Sequence, residues 1–159
     1  MAEVLIVYYS RSGNTRKMAE AVAEGVHEVP GVNVVVQSVE DTTPDHLLKA
    51  HAVIMGSPVY YGTMAGPLKT LIDNSVMHHR KLKGKVGAAF ASSGAEHGGN
   101  ETTVLDILKT LLVHGMILQG DPEEDHYGAI AVGLPDERSI KSCRNMGKRV
   151  AQLAVKLFD

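Results

Sequence analysis

Short apolar runs alternate with amphipathic stretches along the whole chain. Most of the runs lack alternation of apolar and polar residues, which is typical of strands covered on both faces of a sheet. The predicted strands are residues 4–9, 32–38, 52–57, 85–92 and 116–119, with a short extended piece at 129–132. The predicted helices are residues 14–29, 44–49, 67–76, 102–114 and 136–158, the first of which has an apolar stripe at helical spacing.

This order of elements predicts one α/β domain that spans residues 1–159. Strands that alternate with helices form a parallel sheet with helices on both faces, which is a three-layer sandwich. Five strands in a chain of this length favour the strand order 2-1-3-4-5. In such sheets ligands bind at the carboxyl ends of the strands, where the strand order reverses. We therefore expect the loops after the first, third and fourth strands to form one site.

Composition narrows the classes of function. The formal net charge is −2 and Lys and Arg form no long runs, which argues against a nucleic-acid partner. No apolar run approaches the ~18 residues of a membrane span, and no basic segment typical of a signal peptide precedes the first strand. The single cysteine, Cys143, excludes a disulfide within the chain and fits a cytoplasmic location.

The loop after the first strand has the composition of a phosphate site. It leads directly into a predicted helix and consists of Ser10, Arg11, Ser12, Gly13, Asn14 and Thr15. Backbone N–H groups, hydroxyls and the positive end of the helix dipole meet at such a loop. A helix cap without a ligand also uses Ser, Asn and Thr, but one cap needs fewer of them. Because the loop has no lysine, it favours a cofactor that stays bound over a nucleotide whose terminal phosphate is cleaved.

The loop after the third strand carries two adjacent tyrosines. Its first residues are Pro58, Val59, Tyr60, Tyr61 and Gly62. An aromatic ring beside a glycine at a strand end can stack on a planar ligand, because the glycine lets the backbone approach and turn. The alternative is that both tyrosines pack against neighbouring helices.

The loop after the fourth strand is rich in glycine. It runs from residue 92 to 100 and includes Ser92, Ser93, Gly94, Ala95, His97 and Gly98. Small residues with free N–H groups form a suitable rim for the polar edge of a flat ligand. A flexible connection is the alternative, although nine residues are long for a joint between a strand and a helix.

Several other functions of similar sheets lack their motifs here. There is no Walker A sequence, and no Gly-x-Gly-x-x-Gly follows the first strand. Cys143 lies in the last predicted helix, as a half-buried packing residue, and not in a phosphate loop. No metal site is predicted, because the adjacent His78 and His79 would point apart on a helix. The acidic segment 121–125 is interpreted as a solvated turn.

Taken together, the three loops resemble the flavodoxin superfamily. Segment 10–15 looks like the FMN phosphate loop of flavodoxins, and the other motifs are similar to WrbA-type NAD(P)H:quinone oxidoreductases. The matching stretches are 4–25, 56–58, 61–62, 64–65, 92–99, 114–116 and 127–129. The resemblance implies a flavodoxin-like fold and bound FMN.

The resemblance also implies residue roles. Segment 10–15 would hold the FMN phosphate, with the backbone of Arg11 contributing. Residues 58–62 would line the isoalloxazine, with Tyr61 in the aromatic position, and residues 92–98 would contact the polar edge of the ring and the ribityl chain. His114 would reach the flavin from the end of its helix.

Two activities remain open at this point. A reductase would take hydride from NAD(P)H and pass two electrons to a quinone, whereas a carrier would move single electrons between redox proteins. Carboxylates near the ring would favour a carrier of low potential, but the second loop has no charge, so the sequence leans towards the reductase. A flavin-binding sensor or interaction module is a minor third option. We hypothesise that Arg11 attracts the phosphates of NAD(P)H, and a homodimer or higher homo-oligomer is compatible with this class.

Overall fold

The structure, a computed structural model, describes residues 1–158 and contains a twisted sheet with helices on both faces. The strands are β1 (Ala2–Tyr8), β2 (Val32–Ser38), β3 (Ala52–Tyr60), β4 (Thr63–Met64), β5 (Val86–Ser93), β6 (Ile117–Leu118) and β7 (Ile130–Val132). The main path runs β2-β1-β3-β5-β6, and every pair along it is parallel. The predicted order 2-1-3-4-5 is confirmed, because the extra strand β4 only shifts the numbering of the last two.

Two short strands extend this path. β4 pairs antiparallel with the end of β3 and so forms a hairpin, which the sequence pattern did not predict. β6 pairs with the beginning of β5, and β7 pairs with its end. The fifth strand is therefore split, and residues 119–129 leave the sheet between its two halves.

The helices lie where the apolar periodicity predicted them, with ends shifted by at most two residues. They are α1 (Asn14–His27), α2 (Pro44–Lys49), α3 (Gly66–Asn74), α4 (Asn100–Val113) and α5 (Glu137–Phe158). Two 3₁₀ turns, Val39–Asp41 and Ser75–His78, follow β2 and α3. None of these helices, within the 158 described residues, is long and apolar enough to cross a membrane.

Two hydrophobic cores lie on opposite faces of the sheet. One joins α1 and α5 to side chains such as Ile6, Ile54 and Phe90. The other joins α3 and α4 to their neighbours in sequence, such as Val7 and Met55. Alternate residues of β1 and β3 thus point into different cores, as expected of a sheet covered on both faces.

Cys143 belongs to the first core and is completely buried, not half-buried as the sequence suggested. Burial raises the pKa of its thiol to about 12, so the group stays protonated at neutral pH. Cys143 therefore packs the core, and its thiol does not act as a nucleophile at neutral pH.

Candidate functional site

The three loops singled out in the sequence lie at one edge of the sheet. β1, β3 and β5 are parallel neighbours, so their carboxyl ends face the same way. A buried hydrogen bond of 2.9 Å joins the hydroxyls of Thr15 and Ser92, and thereby ties the first loop to the third. The backbone N–H of Tyr9 donates to the carbonyl of Gly56 at 3.1 Å, which joins the first loop to β3.

The first loop presents unpaired backbone donors at the beginning of α1. Ser10 Oγ accepts from the N–H groups of Gly13 (3.1 Å) and Arg16 (3.3 Å), so this hydroxyl shapes the loop. Gly13 precedes the helix with φ of 98°, and nothing lies within 4 Å of the position that a Cβ there would occupy. The amides of Asn14 and Thr15 have no acceptor within the helix. The loop therefore offers an open surface of N–H groups at the positive end of α1.

The second loop is a tight hairpin. Tyr61 and Gly62 connect β3 to β4 and have φ of 49° and 79°. Positive φ at both central residues is the pattern of a type I′ turn, which suits the twist of a hairpin. Tyr61 is strained in this conformation and its side chain is completely exposed at the tip.

The two tyrosines have different environments. Tyr60 packs edge-to-face against Tyr9, with ring centroids 6.3 Å apart, and the Arg11 guanidinium carbon lies 5.8 Å from the centre of its ring. The alternative that both tyrosines pack against helices is thus wrong for Tyr61, whose exposed ring is free to contact a ligand. Its stacking on a flavin stays a prediction.

The third loop is closed by its own hydrogen bonds. Ser93 Oγ donates to the carbonyl of Ala95 at 2.9 Å, and the N–H of Gly98 donates to the same carbonyl at 3.2 Å. Residues 94–98 are exposed, and His97 has φ of 54°. The loop therefore has a defined shape at the rim of the edge, and its role as the contact of a flat ligand stays a prediction.

Asn100 anchors this rim and was not among the predicted site residues. Its amide Nδ2 donates to Ser93 Oγ (2.7 Å) and to the carbonyl of Ala131 (3.2 Å). The residue is only 7% exposed, and its Oδ1 has no hydrogen-bond partner in residues 1–158. The partners of Asn100 are seven and thirty-one residues away, so only its place at the start of a helix after a glycine could have drawn attention to it.

Beside the third loop lies a cleft of about 420 Å³. Its apolar wall consists of Ile130 and Val132, and Glu96 and Glu101 are exposed at its rim. The hairpin on the other side carries no charged residue between positions 58 and 64. The edge therefore has no charged side chain in the hairpin, and it is acidic at the third loop and the beginning of α4.

His114 does not reach this edge. It follows the last residue of α4, a helix of 14 residues that begins at the third loop and runs ~21 Å away from it. Its Nε2 is 2.7 Å from the hydroxyl of Ser75, in the turn after α3. Within one chain His114 therefore lies away from the three loops, and its contact with a flavin stays a prediction.

The acidic segment 121–125 is not a simple solvated turn. Asp125 accepts from Arg138 (2.5 Å) and from the hydroxyl of Ser142 (2.6 Å), and Asp121 pairs with Arg149 at 2.8 Å. These contacts attach the segment to α5. Glu123 and Glu124 are the exposed members. In the described part of the chain no three His, Cys, Asp or Glu side chains are grouped so that they could hold a metal ion.

A parallel sheet in this order, with a loop of hydroxyls and free backbone N–H groups before α1 and two further loops at the same edge, defines a flavodoxin-like protein. Residues 44–123 match the family described as NADPH-dependent FMN reductase. The chain is 36% identical to an NAD(P)H dehydrogenase (quinone) of Archaeoglobus fulgidus, over 99% of this chain and 100% of that protein. It belongs to this flavodoxin-like family of WrbA type.

Other relatives come from both branches of the superfamily. A flavodoxin of Aquifex aeolicus is 35% identical over all of this chain and 90% of that protein. Among solved structures, the WrbA-like protein from Agrobacterium tumefaciens superposes with a TM-score of 0.84 at 25% identity, covering 99% of both chains. An archaeal flavodoxin gives a TM-score of 0.80 at 30% identity, covering 96% of this chain and 99% of that one.

Proposed function

We propose that this chain binds FMN and uses it to transfer two electrons from NAD(P)H to a quinone or a similar small acceptor. The observation that carries the proposal is the single edge formed by a loop of hydroxyls and free backbone N–H groups, an exposed aromatic hairpin tip and a polar rim. FMN would supply the redox chemistry, accepting hydride and passing on electrons. The names of the relatives, NAD(P)H dehydrogenase (quinone), support the same assignment.

The residues of this edge fit the parts of FMN. The open space over Gly13 and the unpaired amides at the start of α1 suit a phosphate, which the helix dipole also stabilises. The hairpin residues 58–62 and the rim residues 92–98 follow neighbouring strands, β3 and β5, and a flat ring would lie between them. The orphaned Oδ1 of Asn100 and the exposed N–H groups of the rim provide polar partners nearby.

Charge favours the two-electron reaction. A reduced flavin is anionic or close to it, and carboxylates beside the ring would destabilise that form. None lies in the hairpin, and the third loop has only Glu96, with His97 beside it. The net charge of −2 is also small for a protein that steers towards basic redox partners. The role of the hairpin is then to position the ring and exclude water from one of its faces.

Arg11 supports the assignment of the donor. It is exposed at the mouth of the site, over the ring of Tyr60, where a guanidinium can pair with the phosphates of NAD(P)H. We expect Arg11→Ala to raise the apparent KM for NADPH ~5-fold or more, with little change in kcat. Arg16→Ala is the matched control, because Arg16 pairs with Glu20 on the outside of α1. An unchanged KM in Arg11→Ala would remove Arg11 from the donor site.

The carrier is the second candidate, and the full-length flavodoxin relative favours it. Anaerobic photoreduction of the FMN-loaded protein separates the two. The reductase predicts direct passage to the two-electron-reduced form and rapid NAD(P)H oxidation with benzoquinone. Accumulation of a stable one-electron-reduced form, without NAD(P)H turnover, would favour the carrier, and failure of the protein to bind FMN would overturn both.

The location and assembly of the protein are also part of the proposal. We propose a cytoplasmic location, where the reducing environment keeps thiols free. The buried free thiol of Cys143 is compatible with that location. A homodimer or a higher homo-oligomer would bring neighbouring copies to the site. Light scattering of the FMN-loaded protein measures this directly, and a strictly monomeric mass would contradict it.

A further inference from the structure

The first two turns of α4 hold the second loop as well as the third. Thr102 Oγ1 donates to the carbonyl of Gly62, in the hairpin turn, with an oxygen–oxygen distance of 2.9 Å. One turn further on, Asp106 Oδ2 accepts from the hydroxyl of Thr63 at 2.7 Å. Asn100, on the same first turn, holds the third loop through Ser93. One helix thus sets the separation between the two loops that would enclose the flavin ring.

The approach of the helix to the hairpin is also sterically tight. Gly99 precedes α4 with φ of 116°. A Cβ at Gly99 would lie 3.0 Å from the Cα of Gly62 and 3.2 Å from a methyl group of Val59. Such distances are shorter than ordinary van der Waals contact, so the two backbones meet here only because Gly99 lacks a side chain.

The hairpin needs this support. β4 has two residues, and only two residue pairs join it to β3. Two-stranded hairpins are marginal in water, and the positive φ of Tyr61 adds strain. The hydrogen bond from Thr102 to Gly62 therefore supports the tip of the hairpin, at the residue that follows the exposed Tyr61.

We propose that Thr102 is a positioning residue that fixes the Tyr61–Gly62 turn relative to the third loop, and thereby sets the affinity for FMN and its reduction potential. This inference rests on the proposed function. Because the Gly62 carbonyl accepts from Thr102, this carbonyl is directed towards α4. The other backbone groups of the turn and the Tyr61 side chain would then be available to the ring. The Thr102 hydroxyl acts through the turn and does not itself contact the flavin.

The test compares two threonines of the same helix. Thr102 also lies 2.9 Å from the carbonyl of Gly99, three residues earlier, and Thr110 makes the same kind of local bond to Ile107 at 2.7 Å. The single hydroxyl proton of Thr102 is shared between the carbonyls of Gly62 and Gly99, whereas that of Thr110 serves a local carbonyl alone. Thr102→Val and Thr110→Val each remove one hydroxyl from α4, but only the first removes a contact with the hairpin. Thr102→Ser keeps the hydroxyl and is the rescue variant.

Three readouts are measured on each protein: the Kd for FMN from quenching of flavin fluorescence, the two-electron midpoint potential, and hydrogen exchange at the hairpin amides without FMN. Loss of one neutral hydrogen bond predicts a Kd raised about 3- to 10-fold in Thr102→Val, with a shifted potential and faster exchange at the turn. Thr102→Ser is expected to stay within about twofold of the wild type in Kd, as is Thr110→Val.

The outcomes separate this inference from the proposed function. If the wild type binds FMN but Thr102→Val matches Thr110→Val in Kd and potential, the positioning role is wrong and the proposed function stands. If Thr102→Ser is as impaired as Thr102→Val, the effect belongs to packing and the inference also fails. If the wild type binds no FMN, both fall together.

Discussion

At the scale of single residues, neutral hydroxyls make most of the connections at the loop-bearing edge. Ser57 Oγ, for example, accepts from the N–H of Ala65 and donates to the carbonyl of Pro58, both at 2.8 Å. Thr15, Ser93 and Thr102 play similar parts in the other loops. Each such bond contributes ~1 kcal/mol, so the edge is held by many small terms rather than by charge.

His114 has a role of its own, remote from that edge. The Ser75 hydroxyl donates to the carbonyl of Ile72, so it must accept from His114 Nε2, which fixes the proton of the neutral ring there. Nδ1 is buried and has no partner in the described residues. Burial, and secondarily the nearby His79, lower the pKa of His114, because a second proton would be desolvated.

Stability should therefore depend on pH through His114. Since its pKa is lower in the folded state, the unfolded state binds more protons below its own value of about 6.5, and stability falls as the pH drops below that point. We expect His114→Gln, which can still donate to Ser75, to flatten the fall in unfolding free energy between about pH 7 and 5. Urea unfolding at several pH values measures this.

The exposed His27, at the end of α1, supplies the control. His27→Gln should leave the slope of the wild type in place. A slope that is equally steep in His114→Gln would mean that other groups cause the acid sensitivity.

The residues that the sequence could predict are those whose chemistry is local. Segment 10–15 is contiguous, so its composition alone indicated a phosphate loop. Asn100 and Thr102 were missed because their partners, such as Ala131 and Gly62, are far away in sequence. The position of His114 within the chain could not be predicted, because a sequence motif does not show in which direction its helix runs along the sheet.

At the scale of elements, periodicity identified the five main strands and all five helices, since burial on two faces leaves a clear pattern. The hairpin strand β4 was not predicted because it has only two residues. Its turn is Tyr-Gly, whereas Asn-Gly or Asp-Gly is the usual sequence signal of a type I′ turn. The split of the fifth strand depends on contacts of residues 119–129 with α5, which no local pattern contains.

The close packing of α1 against α5 predicts that an alanine at a contact glycine lowers the free energy of unfolding, whereas helix propensity alone predicts an increase. A Cβ at Gly25 would lie 1.9 Å from the carbonyl oxygen of Arg144, and one at Gly147 would lie 2.0 Å from that of Val22. Helix propensity alone predicts that Gly147→Ala stabilises by up to ~1 kcal/mol. The close contact predicts the opposite, a loss of about 2 kcal/mol or more, because the two backbones must separate.

Thermal unfolding checks the sign. A loss of this size should lower the Tm by about 4–8 °C in a chain of this length. Asn145→Ala, on the exposed side of α5, is the control and should leave the Tm equal or slightly higher. A raised Tm in Gly147→Ala would show that the helices are not in contact at this point.

At the scale of the whole molecule, the loop-bearing edge joins elements from both cores. β1 and α1 are linked to β5 by Thr15 and Ser92, and α4 is linked to the hairpin by Thr102. A ligand that bridges all three loops therefore binds only the folded chain. Its binding energy adds directly to the free energy of unfolding.

This linkage gives a test of the phosphate loop that needs no enzyme assay. FMN at ~100 times its Kd should stabilise the fold by about 2.7 kcal/mol, which raises the Tm by roughly 5–10 °C. Riboflavin has the same ring but no phosphate, so it cannot use the amides at the start of α1, and at equal concentration its effect on the Tm should be clearly smaller. Equal shifts with the two flavins would mean that the ring alone is bound and that segment 10–15 is only a helix cap.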